Sequence, residues 1–173
     1  MRQLWEEHIT WTRLYLVSFA AGLPDTALTA QRLLRNQVDI GDALKPFYGV
    51  AAGNRLTALL KQHILGAAAL VAAAKAGKTS QVQRAKRAWY ANADAIALFL
   101  HGANPEHWPL AQVAQMMHNH LDLTLEEALA RLQGHYAADI AAFDRVQAEI
   151  LQMADALTAG IIAQFPQRFH SQA

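Results

Sequence analysis

The chain has 173 residues, 53% of them apolar, which is one domain's worth and enough to bury a core without staples. Its lack of cysteine excludes disulfides, thiolate zinc or iron–sulfur sites and thiol catalysis, while a formal charge of +1 with 17% charged residues argues against a disordered polyelectrolyte or an obligate nucleic-acid binder. Alanine supplies 36 residues, and because it gives up no side-chain entropy on entering a helix, the composition points to an all-α domain.

Leu4, Trp5, His8, Trp11, Tyr15 and Phe19 recur at helical spacing, and Gly22-Leu23-Pro24-Asp25 supplies a stop and a restart, so a first helix is expected over 3–21. A second runs from Asp25 to Lys45, where Pro46 disfavours helix for the residue before it and Phe47-Tyr48-Gly49 makes the break. The third, over 50–76, ends at Gly77. Being alanine-rich, it is expected to be central, with Ala68 and Ala72 closely packed. Thr79 or Ser80 caps a fourth helix with Ala85, Trp89, Asn92, Ile96 and Phe99 on one stripe, ending before Gly102. Asn104-Pro105 opens a short helix to about His120. Thr124-Leu-Glu-Glu127 reads as the capping box of a last helix that continues to Phe165-Pro166, bent near Gly134. No stretch alternates as a strand would. Short connections between long helices predict a single all-α domain over 1–173: an up-and-down, four-helix-type bundle with an additional short helix.

The first 22 residues carry Glu6, Glu7, His8 and Arg13, unlike a secretory leader, and the most apolar window, 64–74, is 11 residues long where a membrane span needs about 20. A cytoplasmic protein making no membrane contact is expected. Residues 43–93 hold eight Lys or Arg and no acid, and residues 94–173 hold nine acids against Arg131, Arg145 and Arg168. Such blocks face one another or solvent, or pair the basic middle of one copy with the acidic end of a second; a homodimer is the default assembly, and no nucleic-acid partner is expected. Ala72 to Thr79 matches a loose phosphate-loop string, but that loop must join a strand to a helix, and here it continues an alanine-rich helix.

Of eight histidines, His8, His63 and His120 occupy positions where the helical pattern calls for a core residue. Register adds to this. His63 lies 14 residues before Gly77 and Asn92 lies 14 after Lys78, so a hairpin turning there sets them side by side; His8, 14 before Gly22, is level with residues 37–39. A mid-bundle layer of imidazoles from separate helices is how bundles build metal sites, and imidazole suits zinc, iron and copper. The expected metal ligands are His8, His63 and His120, with Asp144 as a further member. Asp144, on the stripe Ile140, Asp144, Leu151, either turns inward as ligand, general base or counter-charge to Arg13, or lies on the surface beside Arg145; Asp139 is the other acidic candidate. No His-Glu-x-x-His or Glu-x-x-His motif is present, and haem between His8 and His63, with Met116 or Met117 as alternatives, is disfavoured. The alternative is a metal-free buried polar network in a non-enzymatic interaction or small-ligand module, the four tryptophans lining a cavity. No catalytic residue is identifiable, and the pattern does not decide whether the chain is an enzyme.

The segments at 4–13 (LWEEHITWTR), 36–41 (NQVDIG), 59–64 (LLKQHI), 89–94 (WYANAD) and 116–121 (MMHNHL) together resemble a family of short, uncharacterised, all-helical bacterial proteins, over most of the chain. Members often carry the labels acetylglutamate kinase or glycosyltransferase. Both activities need a sheet with glycine-rich phosphate loops, for which this sequence has no strands. The resemblance implies a bacterial, cytoplasmic protein and brings no catalytic residue.

Overall fold

Five α-helices follow in chain order in the structure, a computed structural model describing residues 1–169: α1 (Arg2–Ala21), α2 (Thr26–Lys75), α3 (Thr79–Ala103), α4 (Leu110–Leu132) and α5 (Tyr136–Gln164), with a final 3-10 turn at Pro166–Arg168. Among the described residues no strand occurs. Each helix packs against the next, and α1 closes against α5. Ile40, Ala93, Ala97, Leu121, Ala142, Ile150 and Ala154 are wholly buried at the centre. Alanine at four of these seven positions lets helices approach closely.

α2 is two helical arms in one. Pro46 lies within it, but the break comes three residues later, at Gly49, whose φ of 86° and ψ of 165° belong to glycine alone. Residues 41 and 53 of a continuous helix would be about 18 Å apart. Here a Cβ placed on Gly53 would lie 2.6 Å from the Gly41 carbonyl oxygen, and one on Gly41 would lie 2.6 Å from that of Gly53. The arms 26–48 and 50–75 therefore fold back on each other, meeting at two glycines that leave no room for a side chain.

The expected boundary near residues 120–124 is absent. α4 begins after Pro109 and runs unbroken through His120 and Thr124 to Leu132, so Thr124 and Glu127 are buried mid-helix residues and not a cap. Its end is set by Gly134, at φ 75°, where the His135 N–H donates to the Ala130 carbonyl at 2.9 Å, a left-handed closure that also finishes α1 at Gly22. The expected bend at Gly134 is thus a true helix end, and α5 is a separate element. Residues 104–109 are a loop, not the opening of a helix; Asn104 is buried, donates to the Gly160 carbonyl at 2.9 Å and accepts the His107 N–H at 3.3 Å. Ala72, expected in the core, is exposed, and Ala68 is half-buried. An 18-residue window of α2 has a mean hydropathy of 1.5, long and apolar enough for a membrane span, and 44% of it is buried among the other helices.

Candidate functional site

The inward faces of three helices bring three histidines together. α1 contributes His8 beside Trp5 and Ile9, the second arm of α2 contributes His63, and α4 contributes His120. All three are buried, at 3%, 3% and 4% exposure. The His120 ring lies between the others, its centroid 5.7 Å from that of His8 and 6.3 Å from that of His63. Trp5 meets His8 edge-on at 5.7 Å, and Trp89 lies tilted over His63 at 5.3 Å. The layer is thus a row of imidazoles walled by indoles.

Each ring is approached at Nδ1 by a different side chain. His63 Nδ1 is 3.0 Å from Asn92 Oδ1, and Asn92 Nδ2 donates to the Leu59 carbonyl, which fixes the amide so that its oxygen accepts from the ring. His63 accordingly carries its proton on Nδ1 and keeps a lone pair on Nε2. His8 Nδ1 is 3.2 Å from Gln37 Nε2, which also donates to the Leu33 carbonyl at 2.8 Å. Asn36 Oδ1, 3.1 Å away, is a third acceptor for that nitrogen, which has two hydrogens to give; when one goes to His8, Nδ1 is the acceptor and the ring proton sits on Nε2. His120 Nδ1 is 3.2 Å from Glu149 Oε2, close enough for an ion pair but poorly aligned for a hydrogen bond. The depth arithmetic that set His63 beside Asn92 and His8 level with residues 37–39 agrees with both amide contacts. Glu149 was not singled out, and it lies on the α5 stripe next to Ile150 and Met153.

Burial keeps His8 and His63 uncharged. Desolvation, reinforced by the neighbouring rings, holds His8 well below the ordinary histidine value and pushes His63 down to about 3. A neutral imidazole is the form that binds a metal or passes a proton.

Further along α1 and α4 lies a second polar group. Arg13 Nη1 donates to Glu127 Oε1 and to Asp139 Oδ1, both at 2.7 Å, and Nη2 donates to Asp139 Oδ2 at 3.2 Å. Arg131 adds a longer contact to Asp139 at 3.3 Å. Asp139 is wholly buried in the first turn of α5. Burial pushes Glu127 up to about 7 against the opposing pull of Arg13.

Asp144 is not part of either group. It is exposed, as is Ile140, while the buried stripe of α5 runs through Asp139, Ala142, Val146, Ile150 and Met153. The stripe drawn through Ile140 and Asp144 was rotated off the true inner face. The counter-charge of Arg13 is Asp139 with Glu127, not Asp144. Among the described residues, no group of three or more His, Asp or Glu side chains is disposed to hold one metal ion. The phosphate-loop string spans the end of α2 and the start of α3, and Lys75 within it donates to the Phe19 and Ala20 carbonyls at the end of α1. No protein-family model matches the chain, and comparison with curated proteins and with solved structures finds no match.

Proposed function

We propose that the layer of His8, His63 and His120 binds a transition-metal ion, zinc, iron or copper, through the imidazole Nε2 atoms. The observation that carries this reading is the set of three buried imidazoles from three helices, each with Nδ1 next to a separate amide or carboxylate. Metal-binding histidines usually donate their second ring N–H to such a partner, as His63 does to Asn92. Three imidazoles on one zinc, with Zn–N about 2.0–2.1 Å, place ring centroids roughly 5 Å apart. Spacings of 5.7 and 6.3 Å therefore call for His120 to close on each neighbour by up to about an ångström, and His8 and His63, on either side of it, must close on each other as well if all three are to share one ion. Three protein ligands leave a coordination position for water or substrate, which on zinc supports Lewis-acid hydrolysis and on iron or copper supports oxygen or electron chemistry.

A second reading, a metal-free polar network in an interaction or small-ligand module, is favoured by one contact. Gln37 presents its amide nitrogen to His8, and a proton on His8 Nε2 must leave that atom before it can ligate. Elemental analysis of protein purified without a histidine tag separates the two. About one metal per chain, lost in His8→Ala, His63→Ala and His120→Ala variants that keep their helical dichroism, is the expected result. Sub-stoichiometric metal in the parent, or full retention in the variants, overturns it in favour of the network.

The order of packing, each helix on its successor and α1 on α5, supports an up-and-down bundle with α2 folded into two arms. The charge blocks support a homodimer. A cytoplasmic, bacterial origin fits the resemblance drawn from the sequence.

A further inference from the structure

One helical turn beyond the histidine layer, the same helices together with α3 line a cavity of about 30 Å³. Thr12, four residues after His8, Ile64, next to His63, and Thr124, four residues after His120, all line it, together with Leu33, Leu70 and Trp89. Trp89 is common to both: it forms part of the cavity wall and lies over the His63 ring.

The wall is overwhelmingly hydrocarbon. The Thr12 hydroxyl is spent on the His8 carbonyl at 2.8 Å, and the buried Thr124 hydroxyl has no hydrogen-bond partner among the described residues. A water held inside a protein needs two to four polar partners, whereas apolar cavities stay dry and accept xenon or small hydrocarbons. One free hydroxyl does not hold a water. It does offer a single hydrogen bond to one end of a small guest. Half-buried Tyr15, Ala67 and Ala68 on the lining provide a rim toward solvent.

We infer that this cavity binds a small apolar molecule of diatomic size, such as dioxygen, held against Trp89 about one helical turn, 5.4 Å, from the imidazole layer. The inference stands on the cavity itself and does not require a metal at the histidines. Should a metal bind there, the cavity is a holding place for a gaseous co-ligand beside it.

Xenon is the probe. Crystals of the full chain pressurised with xenon, and xenon-129 resonance shifts in solution, should show one site in contact with Leu70 and Trp89. In Ala68→Leu, which fills the cavity from its rim, xenon affinity should fall roughly tenfold or more, equivalent to about 1.4 kcal/mol. Leu16→Ala, which enlarges the lining, should raise it, and serves if Ala68→Leu does not fold. No xenon in the cavity of the parent, or the same affinity in the parent and both variants, overturns the inference. Measuring xenon and metal on the same His63→Ala sample keeps the two ideas apart: xenon retained without metal supports the cavity alone, and metal bound by a parent that takes no xenon defeats the cavity alone.

Discussion

Asp139 offers the sharpest test of how the helices are locked together. Its carboxylate is wholly buried and takes two hydrogen bonds from Arg13 on α1, at 2.7 and 3.2 Å, and one from Arg131 on α4 at 3.3 Å. Asp139→Asn keeps the shape and removes the charge. Arg13 is then left with Glu127 as its remaining buried carboxyl, and Arg131 loses its buried carboxylate partner. Breaking a buried pair in this way costs about 3–5 kcal/mol, because the orphaned charge stays desolvated. For a chain of this length each kcal/mol lowers Tm by roughly 2–4 °C, so the expected fall is roughly 6–20 °C. Heat and urea unfolding followed by helical dichroism read it directly. The double variant Arg13→Met with Asp139→Leu should recover most of the loss, since apolar replacement of a whole buried pair is often neutral or better. A cost below about 1 kcal/mol for Asp139→Asn would place the group among solvated surface pairs and refute the argument.

Three further outcomes are expected. His63, neutral when folded down to about pH 3 but protonated near 6.5 when unfolded, makes stability fall as pH drops from 6.5 toward 3, on the order of 3–5 kcal/mol in full, with His8 acting in the same direction. Glu127 acts oppositely, since its raised value stabilises below 4.5 and that contribution is lost as pH rises toward 7; His63→Gln should therefore flatten the acid limb of an unfolding-versus-pH curve, and an unchanged limb would count against burial of the ring. Gly41→Ala places a methyl 2.6 Å from the Gly53 carbonyl oxygen and should destabilise by about 1–3 kcal/mol through forced separation of the α2 arms; unaltered urea unfolding would show that the arms are not in contact. Ala97→Leu, at a wholly buried site, should cost a similar amount, whereas Ala72→Leu, on the exposed face, should change stability by less than about 0.5 kcal/mol, and equal effects would mean that the face of the second arm is misassigned.

Where a helix ended at glycine with few competing signals, its limits were legible. Gly22 and Gly77 close α1 and α2 as expected, and Gly49 supplies the break foreseen around Pro46 to Gly49. The failures lie between 104 and 135, where cap-forming residues occur inside helices. Thr124 and Glu127 have the spacing of a capping box, yet Glu127 is drawn to Arg13 across the core and Thr124 faces the interior. A long-range ion pair and burial decide those side chains' roles, and neither is visible in a local window. On α5 the inner face runs through Asp139 and Ala142 in place of Ile140 and Asp144, a rotation of about one residue, 100°, that spacing alone leaves open where both stripes contain apolar residues.

The histidine pairs were legible for a different reason. Distance from a hairpin turn is conserved across antiparallel helices because both rise by the same 1.5 Å per residue, so equal counts from Gly77 and Lys78 bring His63 to Asn92 whatever the surroundings. That arithmetic sets level and says nothing of rotation about the helix axis. Rotation is set by which residues the core needs, and it fixes what each ring nitrogen meets. On α5 the inner face puts Glu149 at His120, a partner the depth counts from Gly22, Gly77 and Lys78 do not reach. The amide that faces His8 is oriented by a still more local fact, the hydrogen bond from Gln37 to the Leu33 carbonyl one turn back in its own helix. If a metal enters this layer, that amide must turn and surrender the bond, or His8 must lose the Nε2 proton outright. Gln37→Met removes the donor and frees Nδ1 to take that proton, so it separates the two routes: metal affinity rises if the amide is the obstacle and is unchanged if it is not.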